Sequence, residues 1–247
     1  MIPKIIHYCW FGRNPLPVSA QKCIASWHRF FPDYEIKEWN EDNFDVNIIP
    51  YTQQAYEAKK YAFVSDYARF WILYHYGGLY FDTDVEVIKP FDDITKRGPF
   101  MGIETSASWK GKPMVAPGLG LGVEAGHFFY ENMLRAYGHL EYLKADGSFD
   151  NTTIVSYTTC ELYKHGMITS ENLQVVEGIW IYPSDYFCPM DSTTGITTIT
   201  ERTVSIHHYD CSWMDHRSLS FRLHQVKNVL FRIIGQKYAR LINHICH

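Results

Sequence analysis

The succession at the N-terminus constrains the fold more than any other feature of the chain. Ile2 to Trp10 is apolar and β-branched, and Gly12-Arg13-Asn14-Pro15 breaks it. Ser19 to Phe31 then carries Cys23, Trp27 and Phe30/Phe31 at helical spacing and stops at Pro32. Tyr34 to Trp39 alternates again like a strand. A strand, a helix and a second strand in such short order bury their apolar sides only by laying the helix on a sheet, which predicts an open α/β architecture. At 247 residues the chain can fill one such domain, or two small ones.

The next block repeats the logic. Tyr56 to Tyr76 reads as one helix with a wide apolar stripe (Ala62, Phe63, Tyr67, Phe70, Leu73, Tyr74) that ends at Gly77-Gly78, a left-handed cap. Leu79 to Ile88 reads as a strand closed by Pro90. Leu79, Phe81, Thr83, Val85 and Val87 take one face, and Tyr80, Asp82, Asp84 and Glu86 the other. An acidic strand face in an apolar domain is costly unless something compensates it.

Past residue 100 the pattern is looser. Pro117 to Gly122 reads as a loop, Ala125 to Tyr142 and Asn151 to His165 as helices, and Ile179 to Tyr182 and Ile196 to Ile206 as strands. The last segment reads as a helix with Leu219, Leu223, Val226, Leu230 and Ile233 on one stripe, interrupted near Gly235.

Charge divides the chain. Residues 217–247 hold six Lys/Arg and no Asp/Glu. Residues 1–216 keep the other 17 of 23 basic residues and all 27 acidic ones, a net of -10. That sum argues against the body being a nucleic-acid binder held by phosphate contacts. The basic tail is either an interfacial helix drawn to anionic lipid or a terminal helix with a solvated basic face. No apolar run reaches membrane-spanning length and the N-terminus lacks a signal-peptide pattern. The six cysteines form no CxxC pair. Free thiols and a cytoplasmic location, with possible peripheral contact at the inner membrane face, are therefore expected.

The chemistry gathers at three places. On a strand Asp82 and Asp84 would share a face with Cα atoms about 7 Å apart, and such oxygen donors suit Mn²⁺ or Mg²⁺ with a phosphate ligand. Asp66 and Arg69, at i and i+3, are either a helix-surface ion pair or a fork for phosphate and ribose. His207-His208 ends a strand; adjacent residues face opposite ways, so one of them could reach a metal. Trp10, at the carboxyl end of the first strand, sits where open α/β sheets bind ligands, and either stacks on a base or packs in the core.

These segments stand in order as Pro3-Lys4-Ile5-Ile6-His7-Tyr8-Cys9-Trp10-Phe11-Gly12, Ser65-Asp66-x-x-Arg69, Gly77-Gly78-x-Tyr80-x-Asp82-x-Asp84 and His207-His208-x-x-x-Ser212-Trp213. In this the chain resembles the DXD-containing glycosyltransferases of family 32, of the bacterial capsular and lipopolysaccharide type, densely over 1–95 and again at 203–213. The resemblance implies a GT-A fold over 1–213, with 1–95 as the nucleotide-sugar half and 96–213 as the acceptor side, and 214–247 as an appended basic segment. It implies a retaining, metal-dependent transfer of a hexose from a nucleotide-sugar to a saccharide or lipid-linked saccharide. Trp10 and the backbone at Cys9 would meet the base, and Asp66 and Arg69 the ribose and donor sugar. Asp82 would touch ribose or metal, Asp84 the metal, and Ser212 and Trp213 the diphosphate. His208 is preferred over His207 as the late metal ligand. Asp150 and Asn151 would lie near the donor sugar, with an ordinary helix cap as the alternative.

Two other functions compete. A nucleotide-sugar hydrolase would use the same metal cradle, and a non-catalytic carbohydrate-binding module would account for the 16% aromatic content but not for the carboxylate pair. The donor's base and sugar, the acceptor and the oligomeric state are not legible in the sequence.

Overall fold

The strand–helix–strand opening folds as its pattern requires: β1 (Ile5–Cys9), α1 (Val18–Phe30) and β2 (Glu35–Trp39), with β1 and β2 parallel and Ile6 opposite Ile36. The computed structural model describes residues 1–109, 112–192 and 194–210. The chain continues through α2 (Pro50–Glu57), α3 (Tyr61–Tyr76), β3 (Gly78–Tyr80), β4 (Val85–Val87), α4 (Asp92–Thr95), β5 (Phe100–Trp109) and β6 (Lys112–Val115). After a 3-10 turn at Pro117–Leu119 come β7 (Leu121–Val123), α5 (Phe128–Tyr137), α6 (Ile154–Lys164), β8 (Gln174–Val176), β9 (Ile179–Tyr182), α7 (Ser184–Phe187) and β10 (Ser205–His207).

The main sheet runs β2-β1-β3-β7-β5-β9-β8, with β6 paired to β5, and β10 pairs with β4 in a separate ribbon. β1 is parallel to β2 and β3, β7 is antiparallel to β3 and β5, and β9 is parallel to β5. The sheet is therefore mixed, with helices on both faces. β1 shows how its alternation serves two layers: Ile6 and Tyr8 pack with Trp27, Phe31 and Phe81, whereas Cys9 joins the layer of Trp39, Val64 and Phe70.

Two local devices bring the acidic segment to the sheet. α3 ends where Gly77 turns to φ +63 and donates its N–H to the Leu73 carbonyl. Gly78 follows at φ +100, and a Cβ there would stand 2.7 Å from the Ile5 carbonyl oxygen, so only glycine lets β3 lie against β1. On the other side Trp27, fully buried, donates its indole N–H to the Val85 carbonyl at 2.8 Å and braces β4 against α1. Burial of such a ring contributes on the order of 3 kcal/mol.

Several expectations are corrected. The helix read over 56–76 is two, because the chain breaks after Glu57 and Lys59 takes φ +58 before α3 begins. The strand read over 79–88 is also two. Val85 N–H closes a turn onto the Asp82 carbonyl, so the carboxylates stand on a turn and not on one strand face. Tyr80, assigned to the polar face, is 1% exposed because a central strand is covered on both sides. The loop read at 117–122 is a 3-10 turn that runs into β7, which the sheet uses centrally. The helix read over 125–142 is confined to α5, that over 151–165 to α6, and the strand over 196–206 to Ser205–His207. β5, β6 and β8 lack a legible alternation. The tail helix, and with it the basic segment 214–247, lies outside the described residues. Among the described residues Cys9, Cys23, Cys160 and Cys188 are free thiols.

Candidate active site

Asp82 leaves β3, Asp84 precedes β4 and His207 ends β10. Their ligand atoms lie within 4.8 Å of one another. Each is oriented by different neighbours. Asp82 Oδ1 stands 3.2 Å from Arg69 Nη2 and accepts from the Tyr80 hydroxyl at 3.2 Å, and its Oδ2 accepts from Arg69 Nη1 at 3.4 Å. The Arg69 guanidinium lies over the Tyr80 ring, 4.9 Å from its centroid. The same Nη2 meets Asp66 Oδ1 at 3.1 Å, and Nε donates to the Ser65 carbonyl. Asp66 and Arg69 are 8% and 4% exposed, so the surface-pair reading is overturned: α3 turns them inward. Burial pushes the Asp66 carboxyl up to about 7, although Arg69 pulls it down.

Asp84 is held from the other side. Its Oδ2 accepts from the Asp210 N–H at 3.0 Å, its Oδ1 faces His207 Nε2 at 3.2 Å, and its carbonyl accepts from the His208 N–H. Burial alone would raise the Asp84 carboxyl, but His207 and these hydrogen bonds outweigh it and hold it below its ordinary value. Burial would likewise lower His207, yet the facing Asp84 carries it up to about 9.

The structure brings His207, and not the preferred His208, to the carboxylate pair. The β4–β10 register sets Ile206 opposite Glu86 and His207 opposite Val85. His208 does share the side of Ile206, and for that reason its Nε2 meets Glu86 Oε2 at 2.9 Å instead of the carboxylate pair.

The remaining expected residues fall into three groups. Trp10 and Cys9 end β1 as read. Trp10 is half-buried and donates to the Asn14 carbonyl, whereas Cys9 is buried, which pushes its thiol up to about 12. Asp150 does not join the cluster. It accepts from the Thr152 N–H and hydroxyl and the Tyr157 hydroxyl, with Lys144 Nζ at 3.6 Å, and the cap of α6 itself is Thr153. Asn151 is exposed beside it. Ser212 and Trp213 lie outside the described residues.

Three participants were not read from the sequence. Gly118, in the 3-10 turn, accepts from the Asp82 N–H at 3.1 Å, and a Cβ there would clash with Asp82 Oδ2. Gly118→Ala therefore swings the Asp82 carboxylate off Arg69; a Mn²⁺ affinity weakened by about 10-fold or more is expected, and an unchanged titration would disprove the cradle. The glycine-rich run Gly118-Leu119-Gly120-Leu121-Gly122 was the available signal. Tyr209 and Glu104, from β5, lie beside His207; burial raises the Glu104 carboxyl while Tyr209 and His207 lower it. Nothing in the local sequence around Glu104 marks it.

A pair of hard carboxylates and an imidazole, closed on one side by a buried guanidinium, suits Mn²⁺ or Mg²⁺. Residues 17–101 match the family model described as glycosyltransferase sugar-binding region containing a DXD motif. The DXD region so matched holds Asp66, Arg69, Asp82 and Asp84, and stops short of His207. Inositol phosphoceramide mannosyltransferase 3 of Schizosaccharomyces pombe is 36% identical over 100 residues, which are 38% of this chain and 27% of that protein. Mannosyl phosphorylinositol ceramide synthase CSH1 of Saccharomyces cerevisiae is 31% identical over 109 residues, 41% of this chain and 28% of that protein. The chain thus spans under a third of the length of these two relatives. A solved glycosyltransferase involved in the glycosylation of the major capsid of PBCV-1 superposes with a TM-score of 0.52 at 10% identity, over 93% of this chain and 100% of that one. The likeness is one of fold, and the α/β architecture with a mixed central sheet that was expected is the one observed.

Proposed function

We propose that the chain is a metal-dependent, retaining glycosyltransferase. It moves a hexose from a UDP- or GDP-linked donor to a saccharide or lipid-linked saccharide acceptor in surface polysaccharide synthesis. The observation that carries this reading is the Asp82–Asp84–His207 cluster, with ligand atoms within 4.8 Å, set beside a buried Arg69. The mannosyltransferase relatives favour mannose as the hexose and an inositol-phosphate lipid as a competing acceptor.

In this reading Asp84 and His207, with Asp82 beside them, would hold Mn²⁺ or Mg²⁺. When bound, the ion supplies Lewis-acid neutralisation of charge on the leaving diphosphate. His207 would have to be neutral to hold the ion, so metal affinity is expected to rise with pH towards about 9. Arg69 holds the Asp82 carboxylate turned to the site. Trp10 stacks on the base beside the Cys9 backbone, Asp66 and Arg69 orient the ribose side, and Ser212 and Trp213 cover the diphosphate. Asp150 and Asn151 line the sugar end. The Asp150 carboxylate is already engaged by Thr152 and Tyr157, which favours same-face attack by the acceptor over Asp150 as nucleophile.

A panel of UDP- and GDP-sugars, mannose included, scored with Mn²⁺ by thermal shift and donor breakdown, tests the proposal. Stabilisation by one nucleotide class and acceptor-dependent turnover are expected. Breakdown equally fast without any acceptor would make the chain a hydrolase, and no shift with any nucleotide would favour a carbohydrate-binding module.

The enzyme works at the inner membrane face, drawn there by the basic tail. No described helix is long and apolar enough to cross a membrane. Deleting residues 217–247 is expected to abolish binding to anionic liposomes while turnover of a soluble acceptor continues; liposome binding that survives the deletion overturns this part.

A further inference from the structure

Resting on the metal reading above, we infer that Tyr209 is the positioning residue that fixes His207 and Asp84 as a ligand pair. Of the described non-glycine residues at positive φ, Arg13, Lys59 and Glu177 are exposed turn residues, whereas Tyr209, at φ +52, is half-buried against the cluster. A bulky side chain in the left-handed region is uncommon and persists where the surroundings over-determine it.

Tyr209 meets that condition in two independent ways. Its backbone reverses the chain just after β10. The reversal turns the Asp210 N–H onto Asp84 Oδ2 at 3.0 Å, two residues after the His208 N–H has bonded the Asp84 carbonyl at 2.9 Å. Its ring meets the His207 imidazole edge to face, with centroids 4.3 Å apart and planes at 83°, and so limits rotation of His207 about χ2. The phenol anchors the ring from behind: it stands 2.9 Å from Cys188 Sγ, which also accepts from the Thr105 N–H of β5, and it interacts with Glu104. One residue thereby ties a histidine on the β4–β10 ribbon, a carboxylate on the turn after β3 and the main sheet together. Groups that orient metal ligands typically change metal affinity by about 10–100-fold when removed.

The experiment is Mn²⁺ titration by electron paramagnetic resonance on the full chain, with the metal-free melting temperature measured alongside. Tyr209→Val loses the ring and disfavours the left-handed turn, and is expected to weaken Mn²⁺ by about 10–100-fold. Tyr209→Gly keeps the turn and loses the ring, which gives an intermediate loss in a chain that folds even if the valine variant does not. Tyr209→Phe keeps both and stays within about threefold of wild type. In turnover the activating Mn²⁺ concentration rises for the valine and glycine variants, while kcat at saturating Mn²⁺ is largely kept, a split that general destabilisation does not produce. Valine and glycine variants that bind Mn²⁺ like the wild type overturn the inference alone. A wild-type chain that binds no Mn²⁺ overturns the metal reading and this inference together.

Discussion

Asp84→Asn is expected to lose Mn²⁺-dependent nucleotide binding and at least about 100-fold in transfer, with the fold intact. The substitution keeps the shape and a carbonyl oxygen for the Asp210 N–H, but removes the charge that faces His207 at 3.2 Å. Without that charge, burial returns His207 to a lower pKa, because desolvation opposes its protonation and Asp84 is the main group that supports it. His207→Ala is expected to reproduce the loss of metal affinity. His208→Ala breaks only a half-exposed contact with Glu86 and is expected to change affinity little. Isothermal titration with Mn²⁺ and circular dichroism check all three. Full activity of Asp84→Asn in excess chelator would sink the metal reading, and equal losses at the two histidines would sink the assignment of His207.

Arg69→Met is expected to show the largest loss of stability, about 3–5 kcal/mol, because it strands two carboxylates around a buried position. Arg69 and Asp66 have side chains 5% and 11% exposed, and the guanidinium also holds Asp82. The loss carries a pH signature. The folded Asp66 holds its proton up to about 7, against an ordinary 3.8, so its contribution is present in acid and is lost as pH rises through about 7. Removing Arg69, which lowers that pKa, moves the loss to higher pH. The variant's urea midpoint is therefore expected to fall between pH 6 and 9 more steeply than that of the wild type. A variant with wild-type stability across that range would show that Arg69 is not a structural counter-ion. Arg69→Lys keeps the charge but not the fork, and is expected to recover stability better than nucleotide binding.

How much of this was legible varies with the range of the interaction that decides it. The β1–α1–β2 unit reads directly, because its apolar period, its breaking Gly12-Arg13-Asn14-Pro15 and its stop at Pro32 are local. The end of α3 at Gly77-Gly78 is legible for the same reason. β3, β5 and β7 were missed or misread because buried central strands lose the period of two, and β3, β4 and β7 are three residues long. Asp82 and Asp84 were found, but from a strand geometry the chain does not adopt. A turn closed by Val85 and Asp82 places them instead, and the register of β10 against β4 selects His207 over His208. That register is set by a strand more than a hundred residues away, and a one-residue change would exchange the two histidines.

By itself the sequence determined the α/β class, the order of the chemistry-bearing segments and the residue types suited to hold a divalent ion. Local periodicity and capping are properties of neighbouring residues, so they survive without a structure. Only the tertiary structure decided that Arg69 is buried between two carboxylates, that Gly118 must lack a side chain, that Asp150 is spent on its own turn, and that Tyr209 stands behind His207. Each of those depends on how distant segments approach one another, and no spacing within a segment encodes that distance.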